Sequence, residues 1–359
     1  MNVRVDTHGD RGQPPRDPTA RSNEGSCSKA EGSSQETNAN RPRRRPSSKL
    51  KRFLWRGFLF LLVFGGGWGF QAWIYGVGFI SSSSMEGSLL PGDVVVIQRT
   101  GGRLSGGITQ QPRGLGGGGW ERGDIVVLQP RDGESAGISG GAGPPDGRSV
   151  KRIVAMPGET VEVYGGTLLV NGVLEAEPTT LLDVWTLTTS ASLRTADLYA
   201  KGIRDVRKTP DGYVIGPASR TQIASLRAQE TIDDAARCQS CTDSRGRWHV
   251  PQRGVPVVPD GREEAQRLAR LIQWYENRDA TVTPEGDLVI DHVEVGAHAF
   301  QDDYVFVVGD NRAESLDSRS WGPVPVSFLR GRVVRVIASW SHRDRTLRPG
   351  RLWSQPEQS

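Results

Sequence analysis

The chain is poor in the residues that usually announce a site. It has three cysteines in 359 residues, too few for a disulfide framework. Cys238 and Cys241 form a lone C-x-x-C, two ligands short of the four that a structural zinc site takes. That leaves a local disulfide outside the cytoplasm or a plain pair of thiols. Cys27 lies in a polar stretch and reads as inert. No cofactor or metal motif is legible. Lysine is nearly avoided: six occur against 39 arginines, and beyond residue 80 only Lys151, Lys201 and Lys208 remain. His249, His292, His298 and His342 follow in the same region, none in a pattern that marks a general base. Acid is missing from residues 41–56, RPRRRPSSKLKRFLWR, which carry eight Lys or Arg.

Charge of either sign is then absent from Gly57 to Ile80. About 20 apolar residues cross the hydrocarbon layer, so this length suffices for one membrane helix, and its glycines are common in such helices. A cleavable signal peptide fits less well, because the preceding region is long and no small-x-small site follows. The eight positive charges on the N-terminal flank put the N-terminus in the cytoplasm and the rest beyond residue 80 outside. Anionic lipid and topology account for the basic stretch. No nucleic-acid motif is present.

Residues 1–52, rich in Ser, Pro, Arg, Gly and Asn, read as a disordered basic cytoplasmic region. The expected organisation is an anchor at 53–77, a β domain in two parts at 78–174 and 286–343, a partly helical insertion at 175–285, and a C-terminal tail at 344–359. The fold class is therefore mainly β, antiparallel, behind a single transmembrane helix. Short Val- and Ile-rich runs carry the β reading: 93–99, 124–130, 150–156, 159–165, 167–174, 287–295, 304–310 and 331–340. VYGGTLLVNG reads as a hairpin around Gly165–Gly166. Two segments of the insertion, SRTQIASLRAQETIDDAARC and GREEAQRLARLIQWYENRD, have apolar residues three and four apart. GGRLSGGITQQPRGLGGGG and GESAGISGGAGPPDG read as loops.

A tract of four serines, Ser81–Ser84, stands between the apolar run and the first of these strands. A serine hydroxyl needs a base to become a nucleophile. Lys151, in SVKRIVAMPGETV, is the candidate. Arginine cannot deprotonate at working pH, whereas burial lowers a lysine amine toward neutrality. The plainer reading of Lys151 is an ordinary strand lysine.

Four stretches together resemble the bacterial type I signal peptidases. SSSSMEGSLLPGD is similar to the family's P-S-x-S-M-x-P-T-L followed by G-D. RGDIVVLQP, KRIVAMPGETV and GDNRAESLDSRSWGPVP match the next three motifs in order. The resemblance covers roughly 75–175 and 290–340. It implies an antiparallel β catalytic domain and a Ser–Lys dyad, with Ser84 as nucleophile and Lys151 as general base. It implies an oxyanion hole from the Ser84 amide and the Ser82 hydroxyl. Ser315 falls on the serine that bonds the lysine amine, and Asp317 and Arg319 on a supporting ion pair. These two, spaced two apart on an extended segment, point to one side. Arg152, beside the base, joins the supporting residues.

The implied substrates are exported preproteins with small residues at −1 and −3, cut beside the bilayer of the cell (inner) membrane. Lysine in place of the eukaryotic-type histidine favours the bacterial type. Departures exist: Ser81 and Gly87 replace prolines, Ser88 replaces threonine, and Ala313 and Glu314 replace Asp and Asn. Losing two residues with fixed φ is expected to loosen the loop around Ser84. The alternative is a weak or inactive homologue acting as a membrane-anchored binding or assembly protein. Self-cleaving Ser–Lys repressors are a further rival, disfavoured by the anchor and the long last motif.

Overall fold

The computed structural model describes residues 53, 55–58, 75–99, 119–129, 147–189, 193–229, 231–238, 241, 245–341 and 344–356. The expected polar region 1–52, most of the expected anchor, nearly all of both glycine-rich loops, Cys27 and His342 lie outside them. Residues 53 and 55–58 are helical. No helix among the described residues is long and apolar enough to cross a membrane.

Along the chain come β1 (Tyr75–Phe79), β2 (Asp93–Arg99), β3 (Ile125–Leu128), β4 (Ser149–Ala155), β5 (Thr160–Tyr164), β6 (Thr167–Val170) and β7 (Val173–Leu174). Next are β8 (Leu182–Thr188), α1 (Thr195–Ala200), β9 (Asp205–Thr209), β10 (Gly212–Ser219), α2 (Arg220–Ala228), β11 (Asp234–Arg237), β12 (Arg245–His249), β13 (Pro256–Val257) and α3 (Arg262–Leu271). The last are β14 (Ala280–Val282), β15 (Leu288–Ile290), β16 (Val293–Val295), β17 (His298–Ala299), β18 (Tyr304–Val308), α4 (Ser318–Trp321), β19 (Val324–Pro325), β20 (Leu329–Ser341) and β21 (Thr346–Leu347).

Among the described residues the main sheet has eight strands, in the order β1-β2-β20-β3-β4-β18-β19, with β21 beside β20. Its ladders are antiparallel. IVVL of β3 and YVFVV of β18 are buried at every position, which is why they read as unbroken apolar runs rather than alternations. β5, β6 and β12 pack a smaller sheet over them, and Val154, Val161, Leu168, Trp248 and Phe306 share one core.

Three boundaries differ from the sequence expectation. Tyr75–Val77, the end of the expected anchor, are strand, paired through Tyr75↔Gln98 and Val77↔Val96. Large residues at 75, 77 and 79 face solvent, while a Cβ on Gly76 or Gly78 would come within 2.9 Å of Arg99 or 2.7 Å of Ile97. The run is thus a period-two strand with glycine on its inner face. The expected insertion divides in two. β8–β11, α1 and α2 have their own core of Trp185, Leu187, Leu198, Ile215, Ile223 and Leu226. Trp248, Leu268, Ile272 and Ala280, by contrast, join the core of the catalytic part. The β8–β11 lobe holds more strand than helix. Finally, the expected C-terminal tail folds back: β21 pairs with β20, and Ser354 bridges Val336.

The hairpin at Gly165–Gly166 forms as expected, with Tyr164 opposite Thr167. Run 167–174, read as one strand, breaks into β6 and β7 at Asn171–Gly172, both at positive φ (52° and 77°). Asn-Gly is the preferred pair for such a turn. Cys238 and Cys241 form a disulfide.

Candidate active site

Ser84 lies in a tight turn between β1 and β2. Glu86 N donates to Ser83 O at 2.8 Å and Leu89 N to Met85 O at 2.8 Å, which closes one helical turn. Met85 and Leu89 are buried with Ile80, Val95, Ile125 and Val333. Apolar burial on the side of the turn away from solvent leaves Ser84 half-buried at its rim. Ser81 and Ser82 are exposed.

Lys151 is the third residue of β4, opposite Val126 of β3, and only 3% exposed. Its Nζ donates to Ser84 Oγ at 2.9 Å. Ser82 Oγ stands 3.3 Å from Ser84 Oγ. Burial pushes the Lys151 amine below the ordinary lysine range. Asp317 and Asp310 raise it in part, and Arg319 lowers it further. A desolvated ammonium is disfavoured, so the neutral amine becomes accessible at lower pH than in water.

The last motif begins where β18 ends. Gly309 sits against the Ser84 turn: a Cβ there would lie 2.4 Å from Ser84 O and 2.2 Å from Ser315 Oγ. Asn311 N donates to Ser84 O at 3.1 Å, and its Nδ2 donates to Ser83 O at 3.2 Å and Glu314 Oε2 at 3.1 Å. Glu314, a departure from the motif, thus helps orient the side-chain amide that bonds Ser83 O beside Ser84. Ser315 reaches the same neighbourhood, yet its Oγ is buried without a hydrogen-bond partner of normal geometry. It stands close enough to Asp317 to help lower that carboxyl.

Asp317 and Arg319 do pair, with Arg319 Nε to Oδ1 at 2.8 Å and Nη2 to Oδ2 at 2.9 Å. The geometry is not that of an extended segment. Asp317 caps α4, its Oδ1 accepting from Arg319 N at 3.2 Å, so Arg319 lies in the first helical turn. A side chain two residues into a helix folds back over its cap, which brings the guanidinium onto the carboxylate. Burial pushes the Asp317 carboxyl up, but Arg319 and the Gly309 amide outweigh it and hold the group below the usual carboxylate range.

Arg152 joins all four motifs. Its guanidinium pairs bidentately with Asp310 (2.8 and 2.7 Å), donates to Gly123 O at 2.7 Å and to Ser88 Oγ at 3.1 Å. Serine at 88 keeps the hydroxyl that this contact uses. Gly309, Asp310 and Asn311 carry functions that residue-by-residue reading did not assign. Their signal was present in the G-D-N-R run itself. Of the histidines, His298 bonds Glu276 at 2.7 Å, and His249 and His292 lie on β12 and in the β15–β16 turn.

A family model described as signal peptidase, peptidase S26, matches residues 52–212 and 227–340. Among curated proteins, thylakoidal processing peptidase 1 of Arabidopsis thaliana is 38% identical over 68 residues, 17% of this chain and 20% of the relative. The probable thylakoidal processing peptidase 2 of the same plant is 58% identical over 31 residues, 9% and 8% of the two chains. Mitochondrial inner membrane protease subunit 1 of Schizosaccharomyces pombe is 44% identical over 39 residues, 11% and 24%. The matched segments thus span a quarter or less of each relative's length. The family match covers most of the chain and includes Ser84, Lys151, Asp317 and Arg319. This chain belongs to the signal peptidase family, peptidase S26.

Proposed function

We propose that the chain is a membrane-anchored serine endopeptidase that removes signal peptides from exported preproteins through a Ser84–Lys151 dyad. The observation that carries this reading is the 2.9 Å contact from a buried, pKa-lowered Lys151 amine to Ser84 Oγ. Neutral Lys151 takes the Ser84 proton as Oγ attacks the scissile carbonyl. The Ser84 amide and Ser82 hydroxyl stabilise the oxyanion, each donor being worth about 2.7–4 kcal/mol in comparable serine enzymes. Lys151 then passes the proton to the leaving amine, and afterwards activates the water that releases the acyl group. Arg152, Asp317 and Arg319 hold this geometry, whereas the bond that the resemblance implies from Ser315 to the amine is not made. The names of two relatives, a thylakoidal processing peptidase and a mitochondrial inner membrane protease, support processing at a membrane.

The uncharged run 57–74, ahead of β1, supports one anchor, N-terminus cytoplasmic, with the catalytic part outside the cell (inner) membrane. Protease added to intact spheroplasts should then digest the C-terminal part; full protection would refute this topology. The activity is tested by incubating the purified chain with a preprotein carrying small residues at −1 and −3. Ser84→Ala and Lys151→Ala should abolish cleavage. Lys151→Arg should do so too, because a guanidinium stays protonated. Cleavage by these variants at the wild-type rate would reject the dyad.

A further inference from the structure

Gly87 stands where the related motif has proline, yet its φ is +115°, a conformation that proline, fixed near −65°, cannot adopt. The turn is therefore not a loosened copy of a proline-braced one. It is packed from outside the main sheet. A Cβ on Gly87 would lie 2.3 Å from the Thr180 carbonyl oxygen and 3.6 Å from Leu182 Cγ. Ser88 Oγ stands 3.4 Å from Thr180 Oγ1. Two residues on, Leu182 N donates to Asp310 O at 2.9 Å and Leu182 O accepts from Arg312 N at 2.8 Å. Those two bonds flank Asn311, whose amides hold Ser83 O and Ser84 O. Nearby, the buried Glu175 pairs with Arg312 at 3.1 Å, and Arg204 of the lobe pairs with Glu86.

We infer that the Thr180–Leu182 segment, where the chain passes into the insertion lobe, positions Ser84 for Lys151 by bearing on Gly87 from one side and on the Asp310–Arg312 turn from the other. The lobe thereby does for this turn what fixed prolines do in the related motif. The inference rests on the proposed dyad for its consequence in catalysis, but not for the contact itself.

The experiment uses the full chain and compares Gly87→Ala, Gly87→Pro and Thr180→Gly with the wild type. A control, Leu226→Ala in the core of the lobe, lowers the melting temperature without touching the segment. Preprotein cleavage gives kcat and KM. In parallel, NMR of ¹³C-methylated lysine amines, with Lys151 assigned through Lys151→Arg, follows that amine without turnover. Gly87→Ala must push the turn off the Thr180 carbonyl. About 100-fold should be lost from kcat, the penalty of an ångström-scale misplacement, with KM little changed. The acidic limb of the pH profile and the Lys151 resonance should both move to higher pH as water reaches the amine. Gly87→Pro should behave alike, although it restores the family residue.

Thr180→Gly alters a half-buried position outside strand and helix, so it keeps the fold even if both Gly87 variants do not. Amide exchange across Met85–Leu89 should then speed up about two- to five-fold, the size of the backbone freedom a glycine adds. Wild-type kcat in Gly87→Pro, or unchanged exchange in Thr180→Gly, would overturn the inference. So would a limb shift of the same size in Leu226→Ala. If the wild type cuts no preprotein while the Lys151 resonance still moves in Gly87→Ala, the proposed activity fails and the positioning stands. If cleavage is normal in all the variants, the reverse holds.

Discussion

Two buried arginine–aspartate pairs flank Lys151, and they are built in opposite ways. Arg319 and Asp317 are two residues apart and meet because a helix starts between them. Arg152 and Asp310 are 158 residues apart and meet only when β4 lies beside β18. The local pair borders the amine and biases it in both directions, Asp317 raising and Arg319 lowering its pKa. The distant pair ties Gly123 and Ser88 into the same guanidinium. The local pair does most of the tuning, with Asp310 adding a smaller upward push on the amine, and the distant pair does the assembling. The same two residue types therefore serve electrostatics or architecture, depending on how far apart in the chain they begin.

That distinction can be broken at Arg152. With both partners about 1% exposed, Asp310→Ala strands a buried guanidinium. Removing one member of a buried pair costs about 3–5 kcal/mol. The urea midpoint should fall accordingly, and activity should be lost chiefly with the fold. Asp310 also raises the Lys151 amine, as a cause ranked after Asp317 and Arg319, so its removal should move the acidic limb to lower pH by less than Asp317→Asn does. A fully folded Asp310→Ala with the larger limb shift would mean that this pair tunes the amine more than it assembles the site.

The local pair should respond in the opposite fashion, through pH. In the proposed dyad, activity appears as pH rises through the Lys151 pKa, since only a neutral amine accepts the Ser84 proton. Asp317 favours the charged amine, so Asp317→Asn should move the acidic limb to lower pH. Arg319 disfavours it, so Arg319→Met should move the limb to higher pH. Both variants should also lose kcat: Asp317→Asn can still cap α4 but no longer offers Arg319 a carboxylate, and Arg319→Met removes the guanidinium. Limb shifts of the same sign in the two would show that geometry, not charge, dominates.

These contrasts mark what the sequence could and could not tell. The contact of Ser84 with Lys151 was legible because a scarce residue type stood in a specific motif. The pairing of Asp317 with Arg319 was legible, but its cause was not: an extended reading missed that Asp317 caps a helix. The Gly87 departure suggested looseness, since a lost proline is visible and a carbonyl packed against the new glycine is not. The insertion misled because half of its apolar residues serve the catalytic core. Periodicity reports an apolar face but not which sheet covers it. The tail, short and charged, gave no sign that Arg351 would reach Asp93 at 2.6 Å and Ser88 O at 2.8 Å.

The smallest effect belongs to a third pair, which sharpens the comparison from the other end. Arg122 stands next to Gly123 in the second motif and pairs with Glu159, but it is 44% exposed. Glu159 is not left unsatisfied without it. Its Oε2 accepts from Met156 N at 2.7 Å and its Oε1 from Asn171 Nδ2 at 3.4 Å. Water solvates the arginine in either state, and an exposed pair of this kind contributes about 0–1 kcal/mol. Arg122→Ala should therefore shift the urea midpoint by less than a tenth of its wild-type value and leave the pH profile unchanged. A loss as large as that of Asp310→Ala would mean that membership of the motif, rather than burial and the number of partners, decides which arginine the fold needs.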